Sequence, residues 1–268
     1  MKFIFWNVKK QKREEPLIEL ADKTGADVLF LAECSEELVE QLNSSFVSSI
    51  AAKVSKQPRI NAFIRRHTIS CKIDLDIRQK NDRYVFYHLS GYGIDVNFVV
   101  VHFSSKLYSY KESQQSDAQD FMTQVRELEK KYSHQRTVII GDFNMNPFDS
   151  GMFMARIFNA TCSLEIAFHK KTRKYQGIDY SFFYNPCWKN YAGLGNGIYG
   201  TYYYDSPENN HIQHWNNLDQ VLLRPDILEN YEHNFAVLHD VLNYDIRKKN
   251  SIFDHYPILL ELKEKTLL

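Results

Sequence analysis

Short runs of large apolar residues recur along the chain, separated by polar and amphipathic stretches. "KFIFWNV" (residues 2–8) and "ADVLFLAE" (26–33) are too short for helices and rich in aromatic and branched side chains, so each reads as a strand. Between them, "EEPLIELADKTG" (14–25) puts acids before Pro16 and ends on Gly25, the signals of a helix start and stop. "SEELVEQLNSSF" (35–46) reads as a second helix capped by Ser35. "RYVFYHLS" (83–90) and "IDVNFVVVHFSS" (94–105) are β-rich and joined by "GYG", which predicts a hairpin. In "SDAQDFMTQVRELEKKY" (116–132), Phe121, Val125 and Leu128 recur at helical spacing. "TVIIGD" (137–142), "LDQVLLRP" (218–225) and "YPILLELK" (256–263) read as later strands, the last with alternating apolar positions.

Strands and helices alternate early, and strands dominate later. Residues 151–216 form a less regular excursion, dense in Tyr, Phe and Trp. No internal repeat or linker breaks the chain. The pattern predicts an α/β domain spanning 1–268, with a mixed sheet or two packed sheets under outer helices. A chain of 268 residues with 44% hydrophobic content can bury a core without staples. Lys+Arg and Asp+Glu balance at 33 each, so no global field draws the protein to nucleic acid or membrane, although a local basic cleft stays open to it. Cys34, Cys71, Cys162 and Cys187 form no C-x-x-C pair, which argues against a zinc site or a disulfide framework. The first residues lack the apolar core of a signal peptide, and no apolar run is long enough to span a membrane, so the expected setting is cytoplasmic.

The ends of the apolar runs carry the chemistry. Asn7 ends the first and Glu33 the second; His102 follows "VNFVVV", and Asp142 and Asn144 follow "TVII". Asp219 begins "LDQVLL", and Asp254 and His255 precede "YPILLEL". Any one of these alone reads as turn chemistry. Together they read as a site, because α/β architectures assemble sites where strand ends converge. Glu33 and Asp254, with the Asn7 amide oxygen, are hard oxygen ligands suited to Mg²⁺ or Mn²⁺. Asp142 can orient or deprotonate a water, and Asn144 can donate to a phosphoryl oxygen. His255 beside Asp219 makes a carboxylate-oriented imidazole, and His102 is a second imidazole able to protonate a leaving oxygen. The set suits metal-assisted hydrolysis of a phosphoester by in-line attack.

These motifs resemble the endonuclease/exonuclease/phosphatase superfamily. "FWNV", "LAEC", "VVVHFSS", "IIGDFNMNP", "NLDQVLL" and "FDHYPILLEL" occur in the family's order over residues 3–262. The resemblance implies a four-layer α/β/β/α sandwich of two packed mixed sheets flanked by helices. It implies Glu33 as the main metal ligand with Asn7 beside it, Asp142 positioning the attacking water and Asn144 contacting phosphate. It also implies His255 and Asp219 as a pair, His102 as the second histidine and Arg83 as a phosphate contact, with Asn146 beside them on the substrate side. Two positions depart from the pattern: Lys9 stands where many members carry Asp or Asn, and Phe253 replaces the usual Ser before Asp-His.

Family does not fix substrate. "SKQPRINAFIRRH" (55–67), "HKKTRKY" (169–175) and "DIRKKN" (245–250) are basic stretches that either flank a phosphate-binding cleft or form solvated loops. "DYSFFYNPCWKNY" (179–191) and "GTYYYD" (200–205) carry aromatic faces that either stack on unpaired bases or pack on the core. Basic and aromatic stretches together favour a Mg²⁺-dependent nuclease on DNA or RNA. The alternatives are a phosphatase or phosphodiesterase on a small-molecule or lipid phosphoester, and an inactive binding module.

Overall fold

The computed structural model describes residues 1–9, 11–49, 59–65, 72–76, 82–91, 93–105, 111–205 and 213–265. The early strands are continuous apolar runs because both faces of each are covered. In β1 (Lys2–Asn7), Phe3 and Phe5 join one core and Ile4 and Trp6 another, and all four are fully buried. β2 (Val28–Ala32) repeats the alternation: Val28, Phe30 and Ala32 join Phe3, whereas Leu29 and Leu31 join Trp6. A two-residue period with both phases apolar is what a strand between two layers requires.

Two sheets result. One runs β16 (Tyr231–Val237), β17 (Ile258–Glu264), β1, β2, β4 (Ile60–Arg65), β3 (Phe46–Ser49). The other runs β5 (Lys72–Asp76), β6 (Tyr84–Gly91), β7 (Ile94–His102), β8 (Thr137–Asp142), β15 (Asp219–Leu223), β12 (Phe183–Tyr184), β9 (Ala160–Thr161). Both mix parallel and antiparallel pairs. Their inner faces share one core, in which the Phe3 and Phe98 ring centroids lie 4.4 Å apart.

Helices close the outer faces. α1 (Glu15–Thr24) and α2 (Glu36–Ser45) lay Leu17, Leu20, Leu38 and Leu42 on Trp6 and Leu31. α3 (Lys111–Tyr132) lays Phe121, Val125 and Leu128 on Phe86, Val99 and Ile139. The order of layers is α/β/β/α, as the motifs imply. The local signals work as read: Gly25 ends α1 in the left-handed conformation (φ 66°), and Ser35 Oγ accepts the Leu38 N–H at 3.1 Å. β6 and β7 form the expected hairpin, with Gly91 opposite Ile94.

Strands β4 and β16 are among those that carry no clear sequence signal. β4 lies within the basic stretch 55–67, and its Ile60, Ala62 and Phe63 are buried. Asn61 interrupts that run and arginines flank it, so no clean period shows. β16 buries Tyr231, Phe235 and Val237 but interleaves Glu232, His233 and Asn234. The excursion at 151–216 contributes β9 and β12 to the seven-stranded sheet, an exposed hairpin of β10 (Thr172–Tyr175) and β11 (Ile178–Ser181), and a pair of β13 (Tyr202–Tyr203) and β14 (Trp215–Asn216). Arg224 fastens it: the guanidinium donates to the Ser181 carbonyl at 2.7 Å, meets the buried Glu129 carboxylate at 2.8 Å and lies 3.9 Å from the Phe183 ring centroid. No helix among the described residues is long and apolar enough to cross a membrane.

Candidate active site

Strand register assembles the site. β7 and β8 are parallel, and their last residues, His102 and Asp142, are direct partners. β15 runs antiparallel on the other side of β8, so its first residue, Asp219, also faces Asp142. One row across three strands thus carries an imidazole and two carboxylates. In the other sheet, β1 and β2 are parallel and end level, at Asn7 and Ala32, with Glu33 next in the chain. Both sets open on one cavity of about 760 Å³.

Asn7 bridges the two sheets: its Nδ2 donates to Glu33 Oε1 and to Asp142 Oδ2, each at 3.3 Å. His102 Nε2 lies 3.4 Å from Glu33 Oε1 and 3.9 Å from Asp142 Oδ2. His255 Nδ1 lies 2.7 Å from Asp219 Oδ2, and both residues are buried. Asp142 Oδ1 accepts the Asn144 N–H at 2.8 Å, and Asn144 Nδ2 donates to the Phe103 carbonyl at 2.9 Å.

Burial sets the charges. Burial alone would depress the His255 pKa, but the Asp219 charge and hydrogen bond, with Asp142 and Asp254 nearby, hold it up at about 10. The ring is therefore an imidazolium at neutral pH, a donor rather than a base. The Asp142 carboxyl is also pushed up: burial and the Asp219 charge raise its pKa, against the opposing pull of His255 and His102. A carboxylate with raised basicity beside a fixed imidazolium is an acid–base pair set by its surroundings.

The backbone around the cavity is strained. Lys9 (φ 47°), Glu33 (φ 57°) and Asn144 (φ 49°) each follow a strand and each adopt the left-handed conformation. Non-glycine residues take it at a cost and cluster at functional sites. Gly141 (φ 150°) answers a different need, since a Cβ there would sit 2.0 Å from the Val101 carbonyl oxygen of β7. The glycine lets β8 approach its neighbouring strand.

Of the expected residues, Asn7, Glu33, Arg83, His102, Asp142, Asn144, Asn146, Asp254 and His255 all line the cavity, and Asp219 stands behind His255. Asn146 is built in rather than projecting: its Oδ1 accepts from Tyr191 Oη at 3.0 Å and Asn217 N at 2.9 Å, and its Nδ2 donates to Asn216 at 2.8 Å. Among the described residues of the three basic stretches, only Arg59 lines the cavity. In "HKKTRKY", His169 and Lys170 end a π-helical turn and Thr172–Tyr175 is one strand of the exposed hairpin, and Arg247 of "DIRKKN" is paired with Asp245 at 2.8 Å. Arg59 and Arg83 repel each other, and burial with that repulsion lowers the Arg83 pKa. Of the aromatic stretches, Phe182 and Phe183 are core, whereas Tyr202 and Tyr204 line the cavity and Tyr203 packs on Trp215. Strand alternation divides the three tyrosines. Phe148 also lines the cavity, and the sequence gives no sign of it, since one aromatic after a proline carries no pattern.

A model of the endonuclease/exonuclease/phosphatase family matches residues 4–232. The chain belongs to that family. Its solved relatives are distant in sequence and alike in fold. A family protein from Bacteroides thetaiotaomicron is 14% identical, with 100% of this chain and 98% of that chain covered and a TM-score of 0.61. TDP2 from D. rerio, solved with a single-strand DNA product, is 14% identical over 99% of each chain, with a TM-score of 0.57. The endonuclease domain of TRAS1, a telomere-specific non-LTR retrotransposon, is 11% identical over 99% of each chain, with a TM-score of 0.57. A search of curated proteins finds no match.

Within the family's pattern, the two departures now have places. Phe253 does not face the cavity; its ring packs 4.2 Å from that of Trp6 and 5.0 Å from that of Tyr244 in the outer core. The usual hydroxyl has been exchanged for apolar packing. Lys9 Nζ lies 3.3 Å from Asp254 Oδ2, so a cation stands where many members carry an acid or amide.

Proposed function

We propose that this protein is a divalent-metal-dependent phosphodiester hydrolase, acting on DNA or RNA by in-line attack of water. The observation that carries the reading is that His102 and Asp142 meet Asn7, Glu33 and His255 on one cavity wall, with Asp219, in the same row, behind His255. Arg59 and Arg83 in the same cavity supply positive charge for phosphates that flank the scissile one. Tyr202, Tyr204 and Phe148 supply apolar faces for bases. The single-strand DNA product bound to TDP2 and the endonuclease name of the TRAS1 domain agree with this substrate class.

The residues fit a hard divalent cation. Glu33 presents a partly exposed carboxylate at the cavity, and Asp254 Oδ1 is buried without a hydrogen-bond partner among the described residues. Glu33 and Asp254, with Asn7 beside them, would hold Mg²⁺ or Mn²⁺. Asn7 as oriented turns its Nδ2 to Glu33, so its oxygen would reach an ion only after the amide rotates. When bound, the ion would polarise the phosphoryl group and offset its charge. The cluster of Asp142, Asp219 and His255 is geometrically close enough for a cation too. Its imidazolium, engaged by Asp219, favours proton handling instead.

In the proposed reaction Asp142 orients a water and takes its proton as the new oxygen–phosphorus bond forms. The His255 imidazolium and the Asn144 amide donate to non-bridging oxygens, where negative charge builds. Asp219 fixes the His255 ring and keeps it charged. His102 gives a proton to the leaving oxygen as the opposite oxygen–phosphorus bond breaks. A cleavage screen on single- and double-stranded DNA, RNA and small phosphoesters, in Mg²⁺ and in EDTA, tests the reading. Nucleic acid should be cut only in Mg²⁺. Hydrolysis confined to a small phosphoester would replace the nuclease with a small-molecule phosphoesterase.

A further inference from the structure

Lys9 is bound twice into the metal end of the cavity. Its Nζ lies 3.3 Å from Asp254 Oδ2, while Oδ1 of the same carboxylate is buried with no hydrogen-bond partner among the described residues. Its backbone N–H donates to Asn7 Oδ1 at 3.2 Å, which turns the Asn7 amide so that Nδ2 faces Glu33 and Asp142. It does this in the left-handed conformation (φ 47°), a strained geometry for a side chain of this size. An exposed lysine on a turn needs neither contact.

The carboxylates around the cavity give the consequence. Besides Asp149, which accepts the Asn146 N–H at 2.8 Å, the cavity and its backing gather Glu33, Asp142, Asp219 and Asp254. His255 Nδ1 engages Asp219 at 2.7 Å, and the Lys9 ammonium lies 3.3 Å from one oxygen of Asp254. That leaves Asp254 Oδ1 and the partly exposed Glu33 carboxylate to face one divalent cation. A second divalent ion would crowd the ammonium at Asp254, with like charges a few ångströms apart.

We propose that Lys9 is a fixed cation standing in for a second metal ion, so that the site holds a single divalent ion, on the Glu33 side of Asp254. This rests on the metal reading given under Proposed function. The ammonium is tethered to the chain, so it cannot leave as a bound ion can, and it competes with the ion for Asp254.

Mn²⁺ titration of the full chain by calorimetry and by loss of the free-ion EPR signal tests the proposal without reference to turnover. The wild type should bind one Mn²⁺. Lys9→Gln, which removes the charge at nearly constant length, should bind that ion about tenfold more tightly, and Lys9→Asp should take up a second. Lys9→Arg, which keeps the charge, should behave as the wild type, and melting curves in EDTA check that each variant folds. Two ions in the wild type would overturn the proposal. Unchanged affinity and number in folded Lys9→Gln and Lys9→Asp would overturn it too, while leaving the metal reading intact. Wild-type binding that survives Glu33→Gln, or no binding in any version, would remove the metal reading itself and this proposal with it.

Discussion

Asp142 and Asp219 face each other across antiparallel strands β8 and β15, two buried carboxylates in direct register. Like charges so placed destabilise a sheet unless a cation answers them. His255, 2.7 Å from Asp219, is that cation. The arrangement keeps one carboxylate as a counter-ion and raises the basicity of the other.

Asp219→Asn should therefore lower the His255 pKa from its wild-type value of about 10 toward the ordinary imidazole value of 6.5 or below, because burial would then act with less opposition. NMR titration of the ring in EDTA reads it directly. In the wild type the ring's raised pKa stabilises the fold fully below pH 6.5, and this contribution is lost as pH rises through about 10. Melting temperature should fall across that window in the wild type and less so in Asp219→Asn. Identical titrations in both proteins would mean that the two side chains are not partners.

Glu33→Gln should keep the fold and lose the ion. Turnover should fall on the order of 100-fold or more, the scale expected on removing a principal source of transition-state charge stabilisation. Calorimetry with Mn²⁺ checks the binding, and a melting curve in EDTA checks the fold. Full activity at low Mg²⁺ would remove Glu33 from the metal site.

Gly141→Ala should destabilise by at least about 2 kcal/mol, because its Cβ would collide with a backbone carbonyl that cannot give way cheaply. Urea denaturation measures this. An unaffected midpoint would show that β7 and β8 separate without cost at this point.

Arg59→Ala and Arg83→Ala should each weaken nucleic-acid binding and lower the slope of log affinity against log salt by about one. Binding measured across a salt series tests this, and unchanged slopes would place both arginines off the phosphate path.

Much of this is legible in the sequence where local physics repeats. Apolar runs in both phases of a two-residue period mark β1, β2, β7 and β8 as strands between layers, and Gly25 and Ser35 mark helix ends. The polar residues at strand ends are visible one by one, and the family motifs join them. Register cannot be read: nothing local says that His102, Asp142 and Asp219 fall in one row. Nor does any period show that Arg59 sits in the cavity while the equally basic stretch 169–175 does not, because that depends on where β4 and the excursion pack. Lys9 is visible only as a departure, and its pairing with Asp254 spans the chain.

Asp142→Asn tests the central claim most directly. The substitution keeps the shape and removes the carboxylate proposed to take the proton from water. Cleavage of nucleic acid in Mg²⁺ should fall by about 10²–10⁴-fold, while salt-sensitive binding of the uncut strand persists. Cleavage at the wild-type rate by the folded variant would contradict the account, and Asp142 would be no more than the polar end of a buried strand.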